Sequence, residues 1–355
     1  MKFEGVVKNM TKAHGEGTAS VGLHYHDIER IPTGVFAFDL ASGGGFPRGK
    51  ISVVYGPESA GKTNLTLMAI AQAQRLYPDE TAVFIDVEKA LDPKWAKALG
   101  VDTDNLGYLL PNFAEEGIDM LSAVLAADDV GLVVVDSVAA LTPMKEAEAS
   151  ADRMQVGGNS LLIGSMMRKA IVGLTQAQKQ DRYPTIILLN QVRIKIGVMF
   201  GNPEGMPGGN ALKHASGLTA RVYGKNKVLK EVSATLPAVK ETSVVINKWK
   251  VPIVSVNCEY EMAMVPHDGK KPGDTNEWKT LATYLRSMEL LFQNDNKQWE
   301  LDGKTFSTLS EVRKSVQGDP LWLYDLKQRV IHEQLKAITG DDDGEVEGES
   351  VPDDE

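Results

Sequence analysis

Gly56-Pro57-Glu58-Ser59-Ala60-Gly61-Lys62-Thr63 stands between an apolar run at 51–55 and a helix-patterned stretch at 63–75. These eight residues fit G-x-x-x-x-G-K-[ST]. A strand before and a helix after is the context in which that pattern makes a phosphate-cradling loop. Glycine lets the backbone curl until its N–H groups face one way, and the helix N-terminus adds a positive end. In such a loop the lysine, Lys62, reaches the β- and γ-phosphates, and the hydroxyl of Thr63 ligates Mg²⁺. Asn64 follows at once and completes the expected nucleotide-binding set of Gly56, Pro57, Glu58, Ser59, Ala60, Gly61, Lys62, Thr63 and Asn64.

Working outward, the runs 82–87, 132–135 and 186–189 are also short and nearly unbroken in apolar residues. Such runs suit strands buried on both faces of a parallel sheet. With helices at 63–75 and 160–176 they predict an α/β fold, a mostly parallel sheet flanked by helices. Three alternating segments, 218–223, 242–250 and 253–259, are expected as antiparallel extensions of that sheet. Polar residues follow three of the runs: Glu88, Asp136 and Gln191. The carboxyl ends of parallel strands line one crevice. There Asp136 can stand beside a magnesium ion, Glu88 can polarise an attacking water, and Gln191 can sense a γ-phosphate.

Composition bounds the rest. The chain has 355 residues, long enough for a large core with an accessory domain. Its 43% hydrophobic and 24% charged residues suit a folded protein in water. One cysteine, Cys258, excludes an internal disulfide and a cysteine-cluster metal site. No apolar stretch approaches the ~20 residues of a membrane span, and a cytoplasmic location is expected. The net charge of −10 argues at first against nucleic acid. Nine acids and no base crowd residues 340–355, however, and the first 339 residues carry only −1. A local basic surface on the body is therefore allowed. The acidic tail is expected to be disordered. It reads equally as a solubility tail or as an internal polyanion competing for a basic groove.

Four segments follow. Residues 1–32 read as an oligomerisation arm, in which Phe3, Val6, Val7 and Met10 share one helical face and Val21, Leu23 and Tyr25 alternate as in a strand. Residues 33–268 form the core. The turn-rich stretch 268–276 marks a boundary. Beyond it, 277–339 reads as a small, mostly helical domain, with Trp278, Leu281, Leu285, Met288 and Phe292 at helical spacing, and the tail closes the chain.

The segment 192–213 is glycine-rich, carries Arg193, Lys195 and Lys213, and holds Ile194, Ile196, Val198, Met199 and Phe200. A mobile, basic, apolar loop directly after Gln191 fits a contact to single-stranded nucleic acid. A second glycine-containing stretch, about 150–160, holds Arg153, Val156 and Gly157, with Arg168 on the helix after it.

GPESAGKT (56–63), IDVEKALDP (85–93), VVVDSVAALTP (133–143), NQVRIKIGVMFGNPE (190–204) and GGNALK (208–213) together resemble the RecA-type recombinases over residues 26–258. The loop alone fits many families, whereas 190–213 is specific to strand-exchange proteins. The resemblance implies a RecA-like ATPase core, ATP and Mg²⁺ as cofactors, and a helical homo-oligomeric filament on single-stranded DNA. The filament would pair that strand with homologous double-stranded DNA, aided by single-strand-binding and mediator proteins. It also implies a bacterial or phage-encoded protein. A ring-forming helicase on the same core is the alternative.

By resemblance, Glu88 is the catalytic carboxylate, and Gln191 couples the γ-phosphate to the DNA loop. Asp92 bonds the adenine amino group, and Trp95 stacks on the base. Lys248, with Lys250 nearby, reaches ATP on the adjacent subunit. Val156 and Ile196 wedge between bases. Arg168 contacts phosphate, and Gly208, Gly209 and Asn210 hold the DNA backbone. Leu161, Ile246 and His214 stand where the family has an arginine, a lysine and a phenylalanine, so interface details depart from the pattern. Arg153 offers a replacement for the missing arginine.

Overall fold

The computed structural model describes residues 2–21, 28–147, 158–194, 204–232 and 234–340. In chain order these form α1 (Phe3–His14), β1 (Arg30–Ile31), α2 (Phe36–Ser42), β2 (Phe46–Pro47), β3 (Ile51–Gly56), α3 (Lys62–Leu76), β4 (Thr81–Asp86), α4 (Pro93–Ala98), β5 (Leu106–Leu109), α5 (Ala114–Ala126), β6 (Val130–Asp136) and α6 (Met144–Ala147). Next come α7 (Gly158–Lys179), β7 (Thr185–Gln191), β8 (Arg193–Ile194), β9 (Glu204–Gly205), α8 (Gly209–Ala215), β10 (Leu218–Lys227), β11 (Val239–Trp249) and β12 (Asn257–Ala263). The last part holds α9 (Trp278–Ser287), β13 (Leu291–Gln293), β14 (Trp299–Leu301), β15 (Lys304–Phe306), α10 (Leu309–Gly318) and α11 (Pro320–Thr339).

Eight strands make the central sheet in the order β12-β11-β10-β3-β7-β6-β4-β5. Strands β10, β3, β7, β6, β4 and β5 are mutually parallel. The apolar runs exist because both faces are covered. On β6, Leu132 and Val134 join one core with Leu65, Leu67 and Ile70 of α3. Val133 and Val135 join the other, with Leu121 and Leu125 of α5 and Met166 and Met167 of α7. Each such side chain removed from water contributes roughly 1.5–3 kcal/mol.

Several expectations need correction. β10 was expected to extend the sheet antiparallel, yet it pairs parallel with β3 and antiparallel only with β11. The third extension lies at Asn257–Ala263, not 253–259. β5 and α5 are additions, and the buried residues of α5 (Ala114, Gly117, Ile118, Leu121 and Leu125) keep helical spacing. The C-terminal part contains a three-stranded antiparallel sheet, β13-β14-β15. α9 ends at Ser287, so Phe292 lies on β13 and is exposed, outside the helical face assigned to it.

Residues 268–276, where the boundary was expected, are tied back to the end of β12. Met262 bridges to Thr275, and the Gly273 amide donates to the Ala263 carbonyl. The C-terminal helices also share a core with α2, where Phe36 and Leu40 pack with Leu281, Leu285, Val312, Val330 and Ile331. Glu277 ties the parts together, accepting from the Phe36 amide and pairing with Lys327.

α1 is helical as expected but buries no residue, and Phe3, Val6 and Met10 stay exposed. The strand expected around Val21, Leu23 and Tyr25 falls largely outside the described residues, as does the acidic tail from 341 onward. Among the described residues, no helix is long and apolar enough to cross a membrane.

Candidate nucleotide-binding site

The loop 57–61 leaves β3 and re-enters the fold as α3. Gly61 is the N-cap with φ 100°, left-handed backbone that a side chain would strain, and no side chain caps the helix start. The first N–H groups of α3 are therefore free to face an anion. The back of the loop rests on β10. A Cβ on Gly224 would lie 2.3 Å from the Ala60 carbonyl oxygen, and one on Gly56 would lie 2.1 Å from that of Val222. Neither approach tolerates any other residue type.

Lys62 is only 8% exposed. Its Nζ donates to the carbonyls of Gly56 (3.2 Å) and Pro57 (2.7 Å), which folds it back over the loop. Burial pushes its pKa down, against the pull of Asp136, Glu88 and Glu58. Thr63 Oγ1 donates to Asp136 Oδ2 at 2.8 Å. Burial pushes the Asp136 carboxyl up to about 6, with Glu88 and Asp86 adding and Thr63 and Lys62 opposing.

Three strand ends converge as expected. Glu88 Oε1 accepts from Gln191 Nε2 (3.2 Å) and from Ser137 Oγ (2.5 Å). The amides of Val87 and Glu88 donate to the Asp136 carbonyl. Glu88 is thus held from β6 and β7 while belonging to the end of β4. Two residues here were missed by sequence reasoning. Ser137 gave no signal beyond following Asp136. Asp86 ends β4, is buried, and accepts from the amides of Ala90 and Leu91 and from Tyr108 Oη, so it fixes the turn carrying Glu88.

A cavity of about 480 Å³ opens beside the loop, lined on one side by Ser59, Ala60, Gly61, Lys62, Thr63 and Asn64. Its opposite wall is Asn226, Leu236, Pro237, Lys240, Met264 and Val265. That wall was also missed, because only the fold of β10, β11 and the end of β12 brings it there. Asp92 and Trp95 do not line this cavity. Asp92 Oδ1 caps α4, accepting from Lys94 N (2.8 Å) and Trp95 N (3.3 Å). Trp95 Nε1 donates to Asn64 Oδ1 at 3.0 Å, which places the indole against the start of α3. Lys248 Nζ lies 3.5 Å from Ser216 Oγ, and Lys250 Nζ donates to the His214 carbonyl at 2.9 Å. Both bond to α8 and its end, apart from the phosphate loop of their own chain. Burial, with the neighbouring Lys250, pushes the Lys248 pKa down.

The segment after Gln191 departs from a simple mobile loop. Its described ends form the hairpin β8–β9 and the helix α8. Asn190 Nδ2 donates to the Pro207 carbonyl at 2.9 Å, and Leu212 is fully buried, so 204–213 is anchored to the core. Gly208 takes φ 80° at the N-cap of α8, which starts at Gly209 and presents Asn210 and Lys213 at the surface. Arg193 and Ile194 belong to β8. Arg168 is exposed on α7, one residue before Lys169, which pairs with Asp119 at 2.7 Å. Arg153, Val156, Gly157, Lys195 and Ile196 lie outside the described residues.

The family model for the RecA N-terminal domain matches residues 2–264. Curated proteins named Protein RecA from Francisella tularensis subsp. novicida, subsp. tularensis and subsp. holarctica are each 41% identical to this chain over 235 residues. The alignment takes in 66% of this chain and spans 63% of the length of those relatives. With the family model matching about three residues in four, this chain belongs to the RecA family.

Proposed function

We propose that this chain is an ATP-dependent DNA recombination protein that assembles as a helical filament on single-stranded DNA and pairs it with homologous duplex. The observation that carries the reading is the 3.2 Å bond from Gln191 Nε2 to Glu88 Oε1. Gln191 is the last residue of β7, and the next element is β8, which opens the expected DNA-binding segment. A change felt at Glu88 thus has one side chain to cross before it moves that segment. The family does not favour the ring-forming helicase. A cytoplasmic location and DNA as partner are part of the same proposal.

The residues present suit ATP and Mg²⁺. Among the described residues the ammonium of Lys62 donates only to loop carbonyls, which phosphate oxygens would outcompete. Thr63 and Asp136 offer a hydroxyl and a carboxylate side by side, a donor set suited to magnesium that is otherwise held by phosphates and water. Groups of three or more His, Cys, Asp or Glu that could form a protein-only metal cage are absent among the described residues. Bound Mg²⁺ would neutralise charge developing on the phosphoryl group. Glu88 orients a water and takes its proton. Ser137 and Gln191 hold that carboxylate in place. Asp92 and Trp95 are assigned to the base, and Lys248 and Lys250 to a nucleotide on the adjacent subunit. Arg153, Val156, Gly157, Arg168, Arg193, Ile194, Lys195, Ile196, Gly208, Gly209 and Asn210 are assigned to DNA.

ATP raises DNA affinity by binding the DNA-competent filament state better than ADP does. The test is fluorescence anisotropy of a labelled single strand with ATP, ADP or no nucleotide, alongside phosphate release by wild type and Glu88→Gln. Tighter DNA binding with ATP, and turnover at least 100-fold lower in the variant with nucleotide binding kept, are expected. Equal DNA affinity in all three nucleotide states refutes the coupling.

A further inference from the structure

Lys240 lies on β11, directly across the ladder from Asn226 of β10. It is 5% exposed. Its Nζ donates to the Ser59 carbonyl at 2.7 Å and to Asn226 Oδ1 at 2.8 Å. Its stem packs on the loop as well, since a Cβ on Gly61 would sit 3.3 Å from Lys240 Cδ. Among the described residues it makes no ion pair, and burial pushes its pKa down. A buried ammonium satisfied only by neutral acceptors is costly and stays where something over-determines it.

The residue it grips is the strained one. Ser59 has φ 56°, left-handed backbone that costs a non-glycine residue about 1 kcal/mol. Such a turn persists only when its surroundings hold it. Here Gly224 supplies the floor beneath Ala60, and Lys240 holds the carbonyl one residue earlier.

From this geometry we infer that Lys240 is a positioning residue which sets the phosphate loop, through the Ser59 carbonyl, in the shape that receives the nucleotide phosphates. The inference rests on the nucleotide-site reading above. It makes the long β10–β11 ladder part of the nucleotide pocket and not only an edge of the sheet. A loop held in place before binding contributes equally to ground and transition states. Its loss therefore appears in KM and leaves kcat unchanged.

The experiment uses the full chain and a fluorescent ADP, with ATP turnover measured in parallel. Wild type is titrated first, and failure to bind ADP overturns the nucleotide-site reading itself. Lys240→Met is expected to weaken ADP at least 10-fold and to raise KM for ATP by a similar factor, with kcat within twofold. Hydrogen exchange at the amides of 59–61 should quicken while those of β6 stay unchanged. Lys227→Ala, next along β10 and paired at the surface with Glu241 and Glu261, leaves the bond to Ser59 and should stay within threefold of wild type. If Lys240→Met does not fold, Lys240→Gln, uncharged and one atom shorter, carries the same readout. ADP affinity within twofold of wild type in the lysine variant overturns the inference. So does a fall in kcat at unchanged KM, or a loss in Lys227→Ala equal to that in Lys240→Met.

Discussion

Gly224→Ala tests the whole construction of the nucleotide pocket with one methyl group. The added Cβ would stand 2.3 Å from the Ala60 carbonyl oxygen, 2.7 Å from its carbonyl carbon and 2.8 Å from its Cα. Ordinary contact begins at 3.4 Å, so the methyl group intrudes by about 1 Å on backbone that has no rotamer to change. β10 has little room to retreat, because Gly224 is laddered to Thr242 of β11 and the same strand is laddered to β3 up to Arg221. The phosphate loop must therefore move, by about 1 Å. A displacement of that size at a binding or catalytic group costs on the order of 100-fold, or about 2.7 kcal/mol. Overpacking adds ~1–3 kcal/mol of destabilisation. ADP binding and urea unfolding of the variant, with Gly318→Ala as a control, measure both effects. Gly318 ends α10, and a Cβ there meets nothing within 4 Å, so that substitution should leave binding unchanged. Gly224→Ala with ADP affinity within twofold of wild type would show that the loop does not lean on β10 as described.

Two further outcomes are expected. Arg48 is 8% exposed, donates twice to the Glu80 carboxylate (2.9 and 2.5 Å) and lies over the Tyr77 ring at 4.1 Å. Arg48→Ala leaves that carboxylate alone and should lower unfolding stability by about 2–3 kcal/mol; a urea midpoint unchanged at constant slope would contradict the pairing. The Cys258 thiol is pushed up to about 12 by burial first, with Asp39 and Glu259 adding. Because the shift is upward, thiolate is scarce at pH 8 and grows tenfold per pH unit until about 12. A disulfide reagent at pH 8 should label the folded chain, where Cys258 is half-buried, far more slowly than the chain in urea; labelling of folded protein at the rate of free cysteine would contradict the upward shift.

How far the chain could be read from its residues depends on the range of the interactions involved. The loop 56–63, its strand and its helix were legible because the pattern, the apolar run and the helical period are all local. Glu88, Asp136 and Gln191 were legible because parallel strands bring their carboxyl ends to one edge. The small sheet β13-β14-β15 was not, because three-residue strands are too short to show a period. Phe292 matched a helical spacing by coincidence of number. The direction of β10 was hidden for another reason: alternation reports a half-buried strand but says nothing about which way it runs.

By itself the amino-acid order determined the layered α/β core, the phosphate loop and the three polar residues at the strand ends, since each follows from neighbours in the chain. Tertiary structure alone decided that β10 lies beneath the loop, that Ser137 and Asp86 hold Glu88 and its turn, and that Lys240 grips Ser59 across 181 residues of chain. Those contacts join segments far apart in sequence. They depend on sheet order and register, and no single stretch of residues encodes either.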